Sequence, residues 1–203
     1  TSDTMRADLK EVVHQATSIA MPNSSDVIVD IGSNDCTMLN FYDKKFKLLG
    51  FEPAKNIKYI DDGKNITVIS NYFNADEFNK HSSKKAKIIT SCAMFYDLAD
   101  PKKFVEDIEK IISDDGIWCV QISYLASMLR YNNFYDICHE HLSYHSIKSF
   151  EHLIKQFNLK LFYGELNAVN GGSIRLYVCK NSCNKYENSE YSHKLHKLKE
   201  DEK

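Results

Sequence analysis

The sequence predicts an α/β fold: a mostly parallel sheet covered on both faces by helices, with an antiparallel hairpin at its C-terminal edge. Three observations lead there. Short apolar runs rich in β-branched residues alternate with helical segments from Asp26 to Ile122. Two further runs, 159–166 and 173–178, are joined by a connection with no room for a crossover helix. The 203 residues, 43% hydrophobic and 12% aromatic, suffice for one full core and are too few for two comfortable ones.

Each element has a local cause. From Asp3 to Ala20, Met5, Leu9, Val12, Val13, Ala16 and Ile19 recur at helical spacing. Ser2, Asp3 and Thr4 supply capping oxygens there, and Pro22 stops the helix. Residues 26–31 read as a buried strand entering the tight loop 32–35. A second strand, 46–51, ends at Glu52 and Pro53, with a helix expected over 54–60; a third spans 65–70 and a fourth 87–92. Asp100 and Pro101 open a helix, as N-cap and first helical residue, with Phe104, Val105, Ile108, Ile111 and Ile112 on its inner face. Residues 114–116 end it, and 117–122 form the fifth strand. A short helix over 125–130, a polar connection over 132–146 and a helix marked by Phe150, Leu153, Ile154 and Phe157 precede the hairpin. One domain is thus expected over 1–180. The polar stretch 181–203 is expected to be frayed, or to be a helix cut off from its packing partner at the truncated start of a further domain.

Composition narrows the function. With 26 Lys+Arg against 28 Asp+Glu there is no basic excess to attract nucleic acid. No apolar run approaches the ~20 residues of a membrane span. Cys36, Cys92, Cys119, Cys138, Cys179 and Cys183 are scattered without a C-x-x-C pair, which reads as free thiols in a reducing cytoplasm. Cys179 and Cys183 lack a second Cys/His pair at zinc spacing, so no metal is assigned.

Two segments carry chemistry. Gly32 is the only glycine in the first strand-to-helix turn, so the phosphate-cradling G-x-G-x-x-G fingerprint is absent and a dinucleotide is disfavoured. The strand end at Asp30 and the loop Ser33-Asn34-Asp35 suit a ligand without phosphates there, such as S-adenosylmethionine. Glu52 follows about 20 residues after the loop, where a carboxylate can accept both ribose hydroxyls; the alternative is that Asp30 and Glu52 are ordinary strand-end acids. The second segment, Cys138-His139-Glu140-His141-Leu142-Ser143-Tyr144-His145, follows the fifth strand on the ligand-binding side of such a sheet. It suits acid/base chemistry, with a histidine taking a proton from a substrate carbon and Glu140 orienting it. Metal binding and a plain polar loop are the other readings, and H-E-x-x-H is not present.

Several blocks together resemble one family, the S-adenosylmethionine-dependent C-methyltransferases of nucleotide-linked deoxysugars, over residues 1 to about 180. They are 1–6 (TSDTMR), 30–35 (DIGSND), 50–54 (GFEPA), 93–97 (AMFYD), 135–144 (YDICHEHLSY) and 170–175 (NGGSIR). The resemblance implies a class I methyltransferase sheet, Rossmann-like and seven-stranded. It implies that Asp30, Gly32, Ser33, Asn34, Asp35, Glu52, Pro53, Asn71, Ser91 and Ala93 hold the cofactor. It also implies that His141 is the base, with Glu140, His139 and Tyr144 around it, acting on a keto-sugar nucleotide through an enolate. Three positions depart from the pattern. Cys36 replaces a usual glycine and is expected to narrow the cofactor entrance, Asp97 stands where some relatives have an active-site histidine, and Gln121 stands where relatives often have an acid. Family members usually carry a zinc-binding module before this domain and a further domain after it, so flanking partners are expected beyond this chain. Two other classes stay open: a methyltransferase fold kept as a partner-dependent binding module, and a dinucleotide oxidoreductase.

Overall fold

The computed structural model describes residues 2–60, 62–63 and 66–202. Strands β1 (Val27–Ile31), β2 (Lys47–Phe51), β3 (Thr67–Ile69), β4 (Ala86–Cys92), β5 (Ile112–Ser123), β6 (Leu159–Asn167) and β7 (Ser173–Lys180) form one sheet in the order β3–β2–β1–β4–β5–β7–β6. Every pair from β3 to β5 is parallel, and β7 runs antiparallel to both β5 and β6. The predicted parallel set and C-terminal hairpin are both present. The predicted start of the third strand at Asn65 lies outside the described residues, as do Thr1 and Lys203 at the ends of predicted segments.

The helices are α1 (Asp3–Ala20), α2 (Ala75–His81), α3 (Pro101–Ile111), α4 (Leu125–Tyr131), α5 (Ile147–Ile154) and α6 (Ser189–Asp201). Ser2 caps α1 by accepting the Met5 N–H, and Asp100 caps α3 with Pro101 in its first turn. On one face of the sheet Val12, Ala16 and Ala20 of α1 pack against Ile28, Leu48 and Cys119. On the other, Phe95, Phe104, Trp118 and Phe150 form a chain of ring contacts with centroids 5.5 to 6.0 Å apart. Among the described residues no helix is long and apolar enough to cross a membrane.

Four local expectations change. Residues 54–60 form no helix, because other groups take their backbone: the Ile60 N–H donates to the Asp35 carbonyl, and the Asn40 side chain donates to the Ile60 carbonyl. Helix α2 went unpredicted; Asn74 caps it and Phe78 anchors it. Strand β5 begins directly after α3 and bulges before Ile117, where the register against β4 shifts. A Cβ on Gly116 would lie 2.8 Å from the Ala86 carbonyl oxygen, so the bulge needs glycine there.

The fourth change concerns the polar tail: instead of fraying, Ser189–Asp201 form α6, which docks along β6. This edge strand would otherwise present open hydrogen-bonding groups. Leu195 is buried in the core, Tyr191 stacks on Tyr163 at 4.6 Å, and Glu202 caps α5 by accepting the N–H groups of Ile147 and Lys148. Truncating Leu195 to alanine should therefore cost about 2 kcal/mol or more of stability. A urea unfolding midpoint equal to that of the parent chain would mean that the helix contributes nothing to the fold.

Candidate cofactor and catalytic site

The strand order reverses between β1 and β4, and the crevice above their C-terminal ends is where such sheets take ligands. Two adjoining cavities open there, of about 360 and 320 Å³, within the range of small-molecule sites. They share Gly32, Glu52 and Met94. The first is lined by acids and backbone, including Asp30, Ser33, Asn34, Asp35, Ala93 and Gln121, and is flanked by Met5 and Leu9 of α1. The second is an apolar slot of Ile31, Phe51, Phe73, Leu98 and Phe104, with Pro53 and Asp97 also in its wall.

The turn after β1 has left-handed backbone at three alternating positions: Gly32 at φ 77°, Asn34 at 47° and Cys36 at 64°. Asparagine tolerates that region well and cysteine poorly. The Cys36 side chain is wholly buried in the cluster that holds Ile28, Met38 and Leu39, and it lines neither cavity. This turn delivers the Asn34 N–H to Glu52 Oε2 at 3.0 Å, while the Ala54 N–H reaches Oε1 at 2.9 Å. Each oxygen keeps a further lone pair. A buried carboxylate oriented from both sides is a ready acceptor for a diol, and the apolar slot beside it suits a flat base. Ser33 Oγ, in the first cavity's lining residue, is buried without a hydrogen-bond partner. These features fit a nucleoside-bearing ligand.

Asp30 lies deeper. Thr90, its register partner on β4, donates to its carboxylate at 2.6 Å. Burial raises this carboxyl to about 6, with the Thr90 hydrogen bond opposing the shift and the Glu52 charge adding to it.

The histidine segment is held against the chain leaving β4. The Leu142 and Ser143 N–H groups donate to the Tyr96 carbonyl at 2.8 and 3.1 Å, and the His141 ring lies 4.3 Å from the Tyr96 ring. His141 and Glu140 both act on Asp97, whose carboxyl is raised by burial, pulled down by His141 and pushed up by Glu140. His145 is different: it is buried, hydrogen-bonded to Ser143 Oγ at 2.8 Å and packed on Phe95, and burial lowers its pKa. It is a structural neutral imidazole. His139 and Glu140 are exposed, and the Tyr144 hydroxyl donates to the Asp136 carbonyl at 3.4 Å. Among the described residues no three His, Cys, Asp or Glu side chains gather as a metal site.

Of the ten residues expected to hold the cofactor, eight border the cavities: Asp30, Gly32, Ser33, Asn34, Asp35, Glu52, Pro53 and Ala93. Asn71 is exposed outside them, and Ser91 is buried with its hydroxyl taken by Trp118 Nε1 at 2.9 Å. Tyr96 stands in the block 93–97 but is not among the expected site residues, because an aromatic inside an apolar stretch reads as core. Burial pushes its phenol up to about 12, with Asp97, Asp136 and Cys138 adding, so it stays an O–H donor beside His141.

Comparison with known proteins agrees with this architecture. Residues 3–163 match the family described as Methyltransferase domain. The chain is 25% identical over 156 residues to the C-methyltransferase NovU of Streptomyces niveus, covering 75% of this chain and 37% of that protein. The chain thus spans little more than a third of the relative's length. The magnesium protoporphyrin IX methyltransferase ChlM of Synechocystis PCC 6803, solved with bound SAH, superimposes with a TM-score of 0.64 at 6% identity, over 87% of this chain and 83% of that one. The plantazolicin methyltransferase BamL, solved with a triazolic desmethylPZN analogue and SAH, gives 0.65 at 13% identity, over 88% and 86%. The fold is that of class I methyltransferases.

The raised Asp30 carboxyl has a consequence for stability. The folded chain holds this proton more tightly than the unfolded chain, so its contribution is complete below about pH 4 and is lost as pH rises through about 6. Relative to Asp30→Asn, the parent should lose up to roughly 3 kcal/mol across that window. Urea titrations of both proteins at pH 4 and pH 7 measure the difference, and parallel pH profiles would place the titration elsewhere.

Proposed function

The chain belongs to the methyltransferase domain family, and from that premise we propose that it methylates a carbon of a keto-sugar nucleotide through an enolate. S-adenosylmethionine, the methyl donor, supplies an electrophilic methyl on its sulfonium. Glu52 accepts the ribose hydroxyls, the slot of Ile31, Phe51, Phe73, Leu98 and Phe104 takes the adenine, and Asp30 to Asp35 surround the amino acid end.

The observation that carries the reading is the packing of His141 on Tyr96, which lies between Met94 and Asp97 in the segment that lines both cavities. A carbon acid beside a ketone needs a base that is uncharged near neutral pH, and imidazole is one. His141 takes the proton, and the electron pair of the broken C–H bond moves toward the ketone oxygen. Tyr96, still protonated, is an O–H donor suited to that developing charge. Glu140 orients the base, and Tyr144 anchors the segment through Asp136. Similarity to a C-methyltransferase supports transfer to carbon. The sugar comes from the histidine and glycine blocks of the sequence.

Two measurements test this. Glu52→Ala should weaken S-adenosylmethionine binding by about 1.5–3 kcal/mol, since a charged acceptor is lost; calorimetry showing equal affinity moves the cofactor site. His141→Asn should slow hydrogen–deuterium exchange at the carbon beside the ketone of a keto-sugar nucleotide by about 10²–10⁴-fold. Cofactor affinity should stay near the parent value. Equal exchange in both proteins assigns proton removal to another group.

A further inference from the structure

Three walls of the first cavity come from distant parts of the chain: Met5 and Leu9 from α1, Gln121 from the end of β5, and Val169 from the connection between β6 and β7. The first two are tied directly to one side chain, and Val169 is linked to Gln121 through Asn167. Arg175 on β7 is 1% exposed and lies in register with Gln121 on one side and Glu165 on the other. Its Nε donates to Gln121 Oε1 at 2.9 Å, its Nη1 to Glu165 Oε1 at 3.0 Å, and its Nη2 to Asp8 Oδ1 on α1 at 2.9 Å. Gln121 closes the cluster, donating from Nε2 to Asp8 Oδ2 at 2.8 Å and accepting from Asn167 Nδ2 at 3.0 Å. Its backbone carbonyl accepts the N–H of Ala93 at 2.9 Å, a cavity residue held at φ 54°.

Cross-strand neighbours alone would hold the hairpin to the sheet. The additional bonds to Asp8 reach the helix whose side chains line the cavity. They use both ends of the amide at position 121, which donates to one carboxylate while accepting from the guanidinium, as an ionised carboxylate cannot. A carboxylate there would face Asp8 oxygen to oxygen.

We infer that Asp8, Gln121 and Arg175 are positioning residues for the methyl donor, fixing α1 so that Met5 and Leu9 stay in the cavity wall. This rests on placing S-adenosylmethionine in that cavity. Charge arrangement, rather than any one side chain, is the operative feature. Exchanging the acid and the amide should therefore preserve what either single change destroys.

The test uses the whole chain with S-adenosylmethionine as the probe. Calorimetry gives its affinity, and amide hydrogen exchange follows α1 with and without it. Gln121→Glu should raise the Kd roughly tenfold, the usual size of coupling within a buried polar cluster. It should also abolish the extra protection that the cofactor confers on the α1 amides. In the Asp8→Asn, Gln121→Glu double variant both should return to within about twofold of the parent. A purely scaffolding cluster would shift the melting temperature and leave the cofactor-dependent protection intact, which overturns the inference. So does a folded double variant that binds as weakly as Gln121→Glu alone. Glu52→Ala separates the two levels: if it weakens binding while Gln121→Glu does not, only the positioning role falls. If neither changes affinity, the cavity is not the cofactor site and both fall.

Discussion

A guanidinium sealed from water must find protein acceptors for its N–H groups, because an unpaired buried charge is far costlier than the pair itself is favourable. Arg175 imposes that condition on the C-terminal half of the sheet and on α1. Strands β5 and β6 answer with Gln121 and Glu165 directly opposite it, and α1 answers with Asp8. Register, helix placement and the start of the β6–β7 connection are therefore one problem with one solution. The first cavity above the sheet inherits its shape from that solution, since α1, β5 and the connection each contribute to its wall.

The turn after β1 shows how backbone conformation, rather than glycine content, shapes the crevice above the sheet. Its left-handed residues carry a cost of roughly 1–2 kcal/mol where the residue is not glycine. Asn34 reduces that cost through its intrinsic tolerance. Cys36 offsets it by burial and by a carbonyl that accepts both the backbone and side-chain N–H groups of Asn40. The result is an N–H aimed at Glu52, so the acid at the end of β2 is oriented by a turn 18 residues earlier in the chain. Asp30, buried beside it, is kept from ionising easily by the same exclusion of water that gives the site its strength.

Among three neighbouring histidines, environment separates the roles. His145 is drawn into the core by Phe95 and spends a ring nitrogen on Ser143, while His139 stays exposed. His141 alone lies against Tyr96, whose carbonyl also anchors the two residues that follow it. The chain leaving β4 thus lines both cavities and also packs against His141. The Tyr96–His141 contact and part of both cavity walls come from a single segment.

The sequence by itself determined the elements whose causes are local. Apolar periodicity, β-branched runs and capping residues specified α1, α3, the parallel strands and the antiparallel hairpin. The spacing of Asp30, Gly32 and Glu52 also marked the cavity, because strand ends and the turns that follow them are read from adjacent residues. What tertiary structure decided are the matters that depend on partners remote in sequence. Residues 54–60 lost their helix to Asp35 and Asn40, and the polar tail became a docked helix because β6 had an edge to cover. Ser91 was diverted to Trp118, and Tyr96 came to His141 across 45 residues of chain. Helical and strand periods encode which face is apolar. They carry no record of which distant polar group will satisfy a buried donor, and in this fold that choice shapes the site.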